Sequence, residues 1–319
     1  MIDLNDLPHA DARRLISSGA PVFVYANPVE YHGPHLPLHN DGLISKGLAR
    51  DLHARLGADA PFLVGADLEM GVDPCRGPGT RAFSYEALRD AAVDVAHTLA
   101  DLGARKLVVM TFHGSPLHEH ALEAGCAAFR ARGGRALNPM NLLLDLLVRV
   151  DGRRFAPAVA HVDDERERMA LLDNIPHDFH AGFFETSLTM HYAPASVSPA
   201  HAQLAPCPPL RADPLLARLE RAARLVGRTR LADEFALAAA SQGWGSLRPF
   251  PGYTGAPHRA SPSSGAYFAA QILDLYAPVV DAVLAGRAAA PPPVMPWVLW
   301  ATLGGRREAA RRFALHDVA

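Results

Sequence analysis

Residues 21–41 read PVFVYANPVEYHGPHLPLHND. The first five residues are apolar, which predicts a short buried strand. Prolines and a glycine follow, so the chain should leave that strand as a stiff, irregular loop. This loop carries acids and imidazoles, namely Glu30, His32, His35, His39 and Asp41. A loop of this kind at the end of a strand is where α/β proteins place their sites.

The spacing of these residues favours a metal site. Glu30 and His32 are two positions apart, so an extended backbone directs both side chains the same way. Asp41 follows the capping residue Asn40 at the start of a predicted helix, and a carboxylate fixed there can bridge two cations. Carboxylate plus imidazole suits zinc, manganese or iron. Any one of these residues alone is more simply an ordinary loop residue, whereas the whole cluster favours metal ligation.

Strands and helices alternate along the first 132 residues. The apolar patterns predict strands over 61–68 and 106–112 and helices over 41–56, 83–102 and 117–132. This alternation predicts an α/β fold, a single three-layer domain whose mostly parallel sheet has helices on both faces. Later segments are less regular, with helices predicted over 215–231 and 266–284 and an irregular Gly/Pro/Ser-rich stretch over 243–265. We expect one domain over residues 1–290 and a C-terminal tail over 291–319.

The composition excludes several classes of protein. The net charge of −2 gives no electrostatic case for nucleic acid or a membrane surface. The three cysteines are scattered, which fits a reducing cytoplasm. The N-terminal residues lack the pattern of a signal peptide, and the longest apolar run, 293–303, is too short to span a bilayer. We therefore expect a cytoplasmic protein with neither nucleic acid nor membrane as partner.

Three further clusters offer candidate ligands. His113 ends a predicted buried strand, and it would emerge on the same sheet edge as the first loop if the strands are parallel. Residues 177–187 contain His180 and Glu185, which could equally be a surface histidine and a helix first-turn acid. A rival cluster, residues 118–120 (His-Glu-His), is less favoured because adjacent positions on a helix diverge around its axis.

Together these motifs resemble the creatininase (creatinine amidohydrolase) family, which includes formamide hydrolases of riboflavin and deazaflavin biosynthesis and a peptidase of mycofactocin maturation. The signature loop is Glu30-x-His32-Gly33-x-His35-Leu36-Pro37, with Asp41 eleven residues after Glu30. The supporting segments are His113-Gly114, His180-Ala-Gly-x-x-Glu185-Thr-Ser187, Pro78-Gly79-Thr80 and Gly252-x-x-Gly255-x-Pro257.

The resemblance implies a site for two divalent ions, Zn²⁺ and/or Mn²⁺ or Fe²⁺. One ion would be held by Glu30, Asp41 and His113, and the other by His32, Asp41 and Glu185. His180 matches the family's proton-donating histidine. Creatininase itself has a glutamate where this chain has Ser115, which argues against creatinine as the substrate. The residues that we expect to line the substrate pocket are Thr80, Ser115 and Tyr253.

These roles predict a hydrolase of a non-peptide C–N bond in a small-molecule amide, cyclic amide or formamide. A water that bridges the two ions would attack the carbonyl, and His180 would protonate the leaving nitrogen. Two alternatives stay open: a non-catalytic protein that keeps the fold for binding or assembly, and a mycofactocin-type peptidase of short peptides. By analogy with the family, we expect a homo-oligomer, a hexamer.

Overall fold

The computed structural model describes residues 1–57, 59–307 and 318. Five parallel strands form one sheet in the order β1-β3-β2-β4-β5. The strands are β1 Ile2–Asp3, β2 Val22–Ala26, β3 Leu63–Leu68, β4 Lys106–Met110 and β5 Arg135–Leu137. The helices are α1 His9–Ile16, α2 Asn40–Gly57, α3 Tyr85–Leu102, α4 Pro116–Ala131, α5 Met140–Leu147, α6 Glu165–Asn174, α7 Phe183–Tyr192, α8 Pro214–Leu225, α9 Thr229–Gly245, α10 Pro262–Leu284 and α11 Trp297–Ala301.

The central strand β2 shows why the sheet is covered on both faces. All five of its residues are buried, and successive side chains point to opposite faces. Phe23 and Tyr25 join a core cluster with residues of α2, α7 and α10. Val22 and Val24 join a second cluster with residues of α1, α3 and α4. The predicted three-layer α/β fold is confirmed.

The parallel arrangement gathers the site at one edge of the sheet. Strand β2 pairs with β3 on one side and with β4 on the other, both in parallel. The carboxyl ends of these three strands therefore lie side by side. The loops that follow them, residues 27–39, 69–84 and 111–115, leave from this edge and carry most of the predicted ligands.

The longest helix, α10, belongs to the core. It packs against α7 and α2, and ten of its residues are buried. By length and composition alone it is apolar enough to cross a membrane, but nearly half of its most apolar stretch is buried inside the protein. Core helices pass the same test, so this helix is weak evidence for a membrane span.

The segment after residue 214 differs from the sequence prediction. A single helix over 215–231 was expected, but α8 ends at Leu225 and α9 begins at Thr229. Gly227 between them has φ +73°, in the left-handed region that ends helices. Helix α9 then continues to Gly245, just inside the stretch predicted to be irregular. The two helices pack on each other.

The described residues after 290 pack on the domain. Val294 and Met295 are buried in the same core cluster as Phe23. The indole Nε1 of Trp297 donates to Glu234 Oε2 on α9 at 3.0 Å. The start of the predicted tail is thus docked on the core, whereas Trp300 in α11 is exposed. Residues 308–317 lie outside the described residues.

Candidate metal centre

His32 is held with one ring nitrogen free for a ligand. Its side chain is completely buried, and its Nδ1 lies 3.0 Å from the backbone carbonyl of Glu30. A carbonyl only accepts, so Nδ1 donates to it, and Nε2 is the nitrogen that faces the carboxylates. That Nε2 lies 3.0 Å from Asp41 Oδ1 and 3.2 Å from Glu185 Oε1. A backbone carbonyl that fixes the tautomer in this way is typical of metal-binding histidines.

His113 repeats this arrangement from the end of β4. Its Nε2 donates to the backbone carbonyl of Val72 at 3.0 Å, so Nδ1 is the nitrogen that faces the centre. That Nδ1 lies 2.9 Å from Glu30 Oε1 and 3.7 Å from Asp41 Oδ2. Two histidines from separate loops therefore direct their second ring nitrogen to the same carboxylates.

Asp41 connects the two histidines. One of its oxygens lies near His32 and the other near His113, because the first turn of α2 places the carboxylate between them. The described residues contain two metal-capable groups that share it: Glu30, Asp41, His113 and His32, Asp41, Glu185. A third group, Glu30, His32 and His180, overlaps both of these. The five predicted ligands converge on one buried centre.

Two carboxylate oxygens of this centre have no hydrogen-bond partner. Glu30 Oε1 and Asp41 Oδ2 are both buried, and neither accepts a hydrogen bond from a described residue. Burying such an acceptor without a partner costs about 1–3 kcal/mol, and the cost is larger when the acceptor is charged. Each lies near Nδ1 of His113 instead. Buried carboxylate oxygens that converge on imidazole nitrogens suit a cation between them, so this set of residues fits divalent ions.

The electrostatics of the centre favour positive charge. Burial alone would lower the pKa of His32, but the charges of Glu185 and Asp41 raise it well above its usual range. Burial would likewise lower the pKa of His113, and Glu30 raises it. For Glu30, burial opposes ionisation, and the charge of His113 outweighs it and lowers the pKa. The same carboxylates would stabilise a bound cation.

His180 lies beside this centre in a different environment. Its ring stacks on that of His32 with centroids 4.4 Å apart, and its Nε2 donates to the carbonyl of Tyr31 at 2.8 Å. Burial, together with the charge of His32, lowers the pKa of His180 to about 4. The ring of Trp244 lies 5.1 Å away on its other side. His180 is therefore neutral at pH 7, with Nδ1 as the nitrogen that can accept a proton.

Comparison with known proteins agrees with this geometry. The family model for creatinine amidohydrolase matches residues 5–280. The chain belongs to the creatininase family. A mycofactocin precursor peptide peptidase of Mycobacterium tuberculosis is 28% identical over 204 residues, which are 61% of this chain and 67% of the peptidase.

Solved creatininases share the fold. A manganese creatininase matches with a TM-score of 0.58 at 17% identity, over 90% of this chain and 99% of its own. A Zn-Zn type creatininase variant matches with a TM-score of 0.57 at 17% identity, over 90% of this chain and 98% of its own. At this level of identity the likeness establishes the fold alone.

Two side chains support the candidate site in ways that the sequence does not indicate. The sequence predicts Asn40 as a helix cap, but Asn40 is the first residue of α2, and its Nδ2 donates to Glu185 Oε1 at 3.0 Å. Asp178 accepts from the backbone of Phe184 at 3.2 Å and so caps α7, which carries Glu185. A Cβ on Gly182 would lie 1.7 Å from Asp178 Oδ1, so that position requires glycine.

The residues predicted to line the substrate pocket are placed around the centre in different ways. Thr80 accepts from the Tyr31 backbone at 2.9 Å and donates to Cys75 O at 2.8 Å, which braces two loops of the site. Tyr253 donates its hydroxyl to Ala205 O at 3.0 Å. Ser115 is buried, and its hydroxyl has no partner among the described residues. A substrate role for these three stays a prediction.

The rival cluster at residues 118–120 supplies no ligand in the described part of the chain. His118 and Glu119 are fully buried, yet neither belongs to any of the three metal-capable groups. Glu119 instead accepts from Asn138 Nδ2 at 2.6 Å. Burial raises its pKa to about 8. The expected divergence of adjacent helical positions explains why these side chains do not converge on the centre.

Proposed function

We propose that this chain is a metal-dependent amidohydrolase that cleaves a C–N bond in an amide, cyclic amide or formamide. The observation that carries the proposal is Asp41, whose two oxygens lie near ring nitrogens of His32 and His113. Glu30 and Glu185 complete the two ligand sets. The family of the chain, whose members are hydrolases, supports the same reaction class.

In this proposal five residues would hold the ions, and His180 would transfer the proton. Two divalent ions, when bound, supply a polarised carbonyl and a water whose pKa falls from about 15.7 towards about 7. Glu30, His32, Asp41, His113 and Glu185 would hold them. His180 has its Nε2–H fixed on Tyr31 O, so its Nδ1 first takes the proton of the attacking water. The same nitrogen then returns the proton to the leaving nitrogen.

Ser115 bears on whether creatinine itself is the substrate. It stands where creatininase has a metal-binding glutamate, and Glu185 fills that ligand position here. The hydroxyl of Ser115 is left free for another partner. This replacement supports a substrate other than creatinine.

A mycofactocin-type peptidase is the second candidate function. The 28% identical relative from Mycobacterium tuberculosis is a mycofactocin precursor peptide peptidase, and that observation favours a short peptide as the substrate. The two candidates share the ligand centre and differ in the group that carries the scissile bond. Release of amino acids from the end of a short peptide would single out the peptidase.

The experiment is a metal analysis combined with a substrate panel. The full chain is purified without chelators, its zinc, manganese and iron are measured by mass spectrometry, and hydrolysis of cyclic amides, formamides and short peptides is followed with added zinc or manganese. We expect about two ions per chain and cleavage of one substrate class. A chain that binds no metal under any of these conditions would contradict the proposal and leave the non-catalytic alternative.

We also propose that the protein is a cytoplasmic homo-oligomer. All three cysteines are free thiols, which fits a reducing compartment. Helix α8 and the residue after it expose Leu215, Leu225 and Val226 to solvent, and a second copy that covers them would remove this apolar surface from water. Light scattering on the purified chain should give the mass of an oligomer, a hexamer by analogy with the family. A monomer at micromolar concentration would contradict this.

A further inference from the structure

His118 lies beside a metal-binding residue without being a ligand itself. It is fully buried on α4, and its ring meets that of His113 edge to face, with centroids 5.0 Å apart. Any ring of this size would fill the same space, so packing alone does not require a histidine here. The hydrogen bonds of His118, however, reach three different segments of the site.

These hydrogen bonds define one tautomer. The backbone N–H of Val72 donates to Nδ1 of His118 at 3.5 Å, so Nδ1 carries no proton. Nε2 must then carry it, and this N–H lies 3.2 Å from the carbonyl of Ala26 and 3.3 Å from Thr111 Oγ1. A neutral imidazole thus joins the ends of β2 and β4 to the loop that follows β3.

Two of these partners also hold His113. The carbonyl of Val72 accepts from His113 Nε2 at 3.0 Å, and Thr111 Oγ1 accepts from the His113 backbone N–H at 3.2 Å. Val72 is therefore fixed at its N–H by one histidine and at its carbonyl by the other. The orientation of that carbonyl decides which nitrogen of His113 faces Glu30.

We propose that His118 is a positioning residue, which acts through Val72 and Thr111 to orient His113 towards the ion shared with Glu30 and Asp41. The inference rests on the proposed function, because it concerns the affinity for one of the two ions. His118 touches none of the partners of His32 or Glu185, so the second ion position should be insensitive to it. A substitution that keeps the hydrogen bond to Val72 should therefore weaken ion binding less than a substitution that keeps only the ring.

Three substitutions separate the functions of the side chain. In His118→Asn the amide oxygen can accept from Val72 near the position of Nδ1. In His118→Gln the amide nitrogen can reach Ala26 O near the position of Nε2, but the acceptor for Val72 is lost. His118→Phe keeps the ring and loses both hydrogen bonds. His53→Phe on α2 is the matched control, because His53 stacks on Phe62 away from the site.

The measurement is zinc titration of the metal-stripped full chain by competition with a chelator, alongside thermal melting without metal. We expect Gln and Phe at residue 118 to weaken one of the two zinc sites about 10–100-fold, Asn to weaken it less, and the other site to be unchanged. Equal zinc affinities in all three variants and the wild type would overturn the inference. So would an equal loss at both sites that follows the fall in melting temperature. If the wild-type chain takes up no zinc, the proposed function itself is wrong. If every variant has two normal zinc sites, only the proposed role of His118 is wrong.

Discussion

Two histidines that lie face to face at the centre, His32 and His180, are 148 residues apart in the sequence and have opposite properties. His32 lies between the carboxylates of Asp41 and Glu185, whereas His180 lies between the Tyr31 carbonyl and the Trp244 ring. Burial opposes charge on both rings, but the carboxylates reverse this for His32 and raise its pKa. For His180 burial prevails and lowers the pKa.

The contrast shows how one residue type acquires two functions from its neighbours. A histidine surrounded by carboxylates belongs to a place where positive charge is stable, so it is suited to share a cation. A neutral histidine beside such a cation is suited to accept and return a proton. Groups whose environments separate their pKa values in this way are the usual basis for dividing roles within a site.

The largest effect is expected from Asp41→Ala, which removes the residue shared by both ligand sets. Metal content measured after purification should fall from about two ions per chain to near zero, and hydrolysis should be lost with it. Asp67→Ala is the matched control, because Asp67 forms an ion pair with Lys46 on the surface. Full metal content in Asp41→Ala would contradict the bridging role.

His180→Gln addresses the other side of the comparison. It removes the proton-accepting nitrogen and leaves all five ligands in place, so kcat should fall about 10²–10⁴-fold while metal content stays at the wild-type level. Steady-state kinetics and metal analysis of the same sample give the answer. Loss of metal in this variant would place His180 among the ligands, as the overlapping group Glu30, His32 and His180 allows. His161→Gln, at an exposed histidine that contacts Arg259 O, controls for the substitution.

A smaller effect is expected from Asn40→Ala. Without the Nδ2 donor, Glu185 loses the group that orients its Oε1, and affinity for the ion held with His32 should fall about 10–100-fold. Affinity for the ion held by His113 should be unchanged, because Asn40 does not contact that side of the site. Zinc titration resolves the two events. Asn5→Ala, far from the site at the start of the chain, is expected to alter neither.

The parts of the fold that the sequence predicted are those with a local cause. Up to residue 132, apolar runs of strand length alternate with helices that end at glycines, and the structure follows them closely. The break between α8 and α9 was missed, because apolar spacing continues across Gly227, whose φ of +73° cannot be read from that pattern. Strand β1 has two residues, too few for any periodic pattern, and it exists because β3 pairs with it.

The residues of the candidate site also divide into those that the local sequence indicated and those that it did not. Glu30, His32 and Asp41 are neighbours in the chain, so their spacing indicated a metal site. His113 was a candidate because its strand was expected to end on the same sheet edge as that loop. Its assignment as a ligand, and that of Glu185, came from the family resemblance, because nothing local relates Glu185 to the first loop. The sequence does not indicate the functions of Asn40 and His118, since these depend on partners 46 to 145 residues away. A side chain that acts through a distant backbone group leaves no pattern in the sequence.

The smallest expected effect is that the His180 ring does not change its protonation state near neutral pH. Because the pKa of His180 is lowered to about 4, its ring should stay neutral from pH 8 down to pH 6, whereas an unperturbed imidazole titrates near about 6.5. NMR of the zinc-loaded protein, with the His180 signals assigned by their loss in His180→Gln, measures this directly. A zinc ion beside His32 replaces one positive neighbour by another, so the cause of the lowered pKa persists. Titration of His180 near pH 6.5 would show that the two stacked histidines differ less than their surroundings indicate.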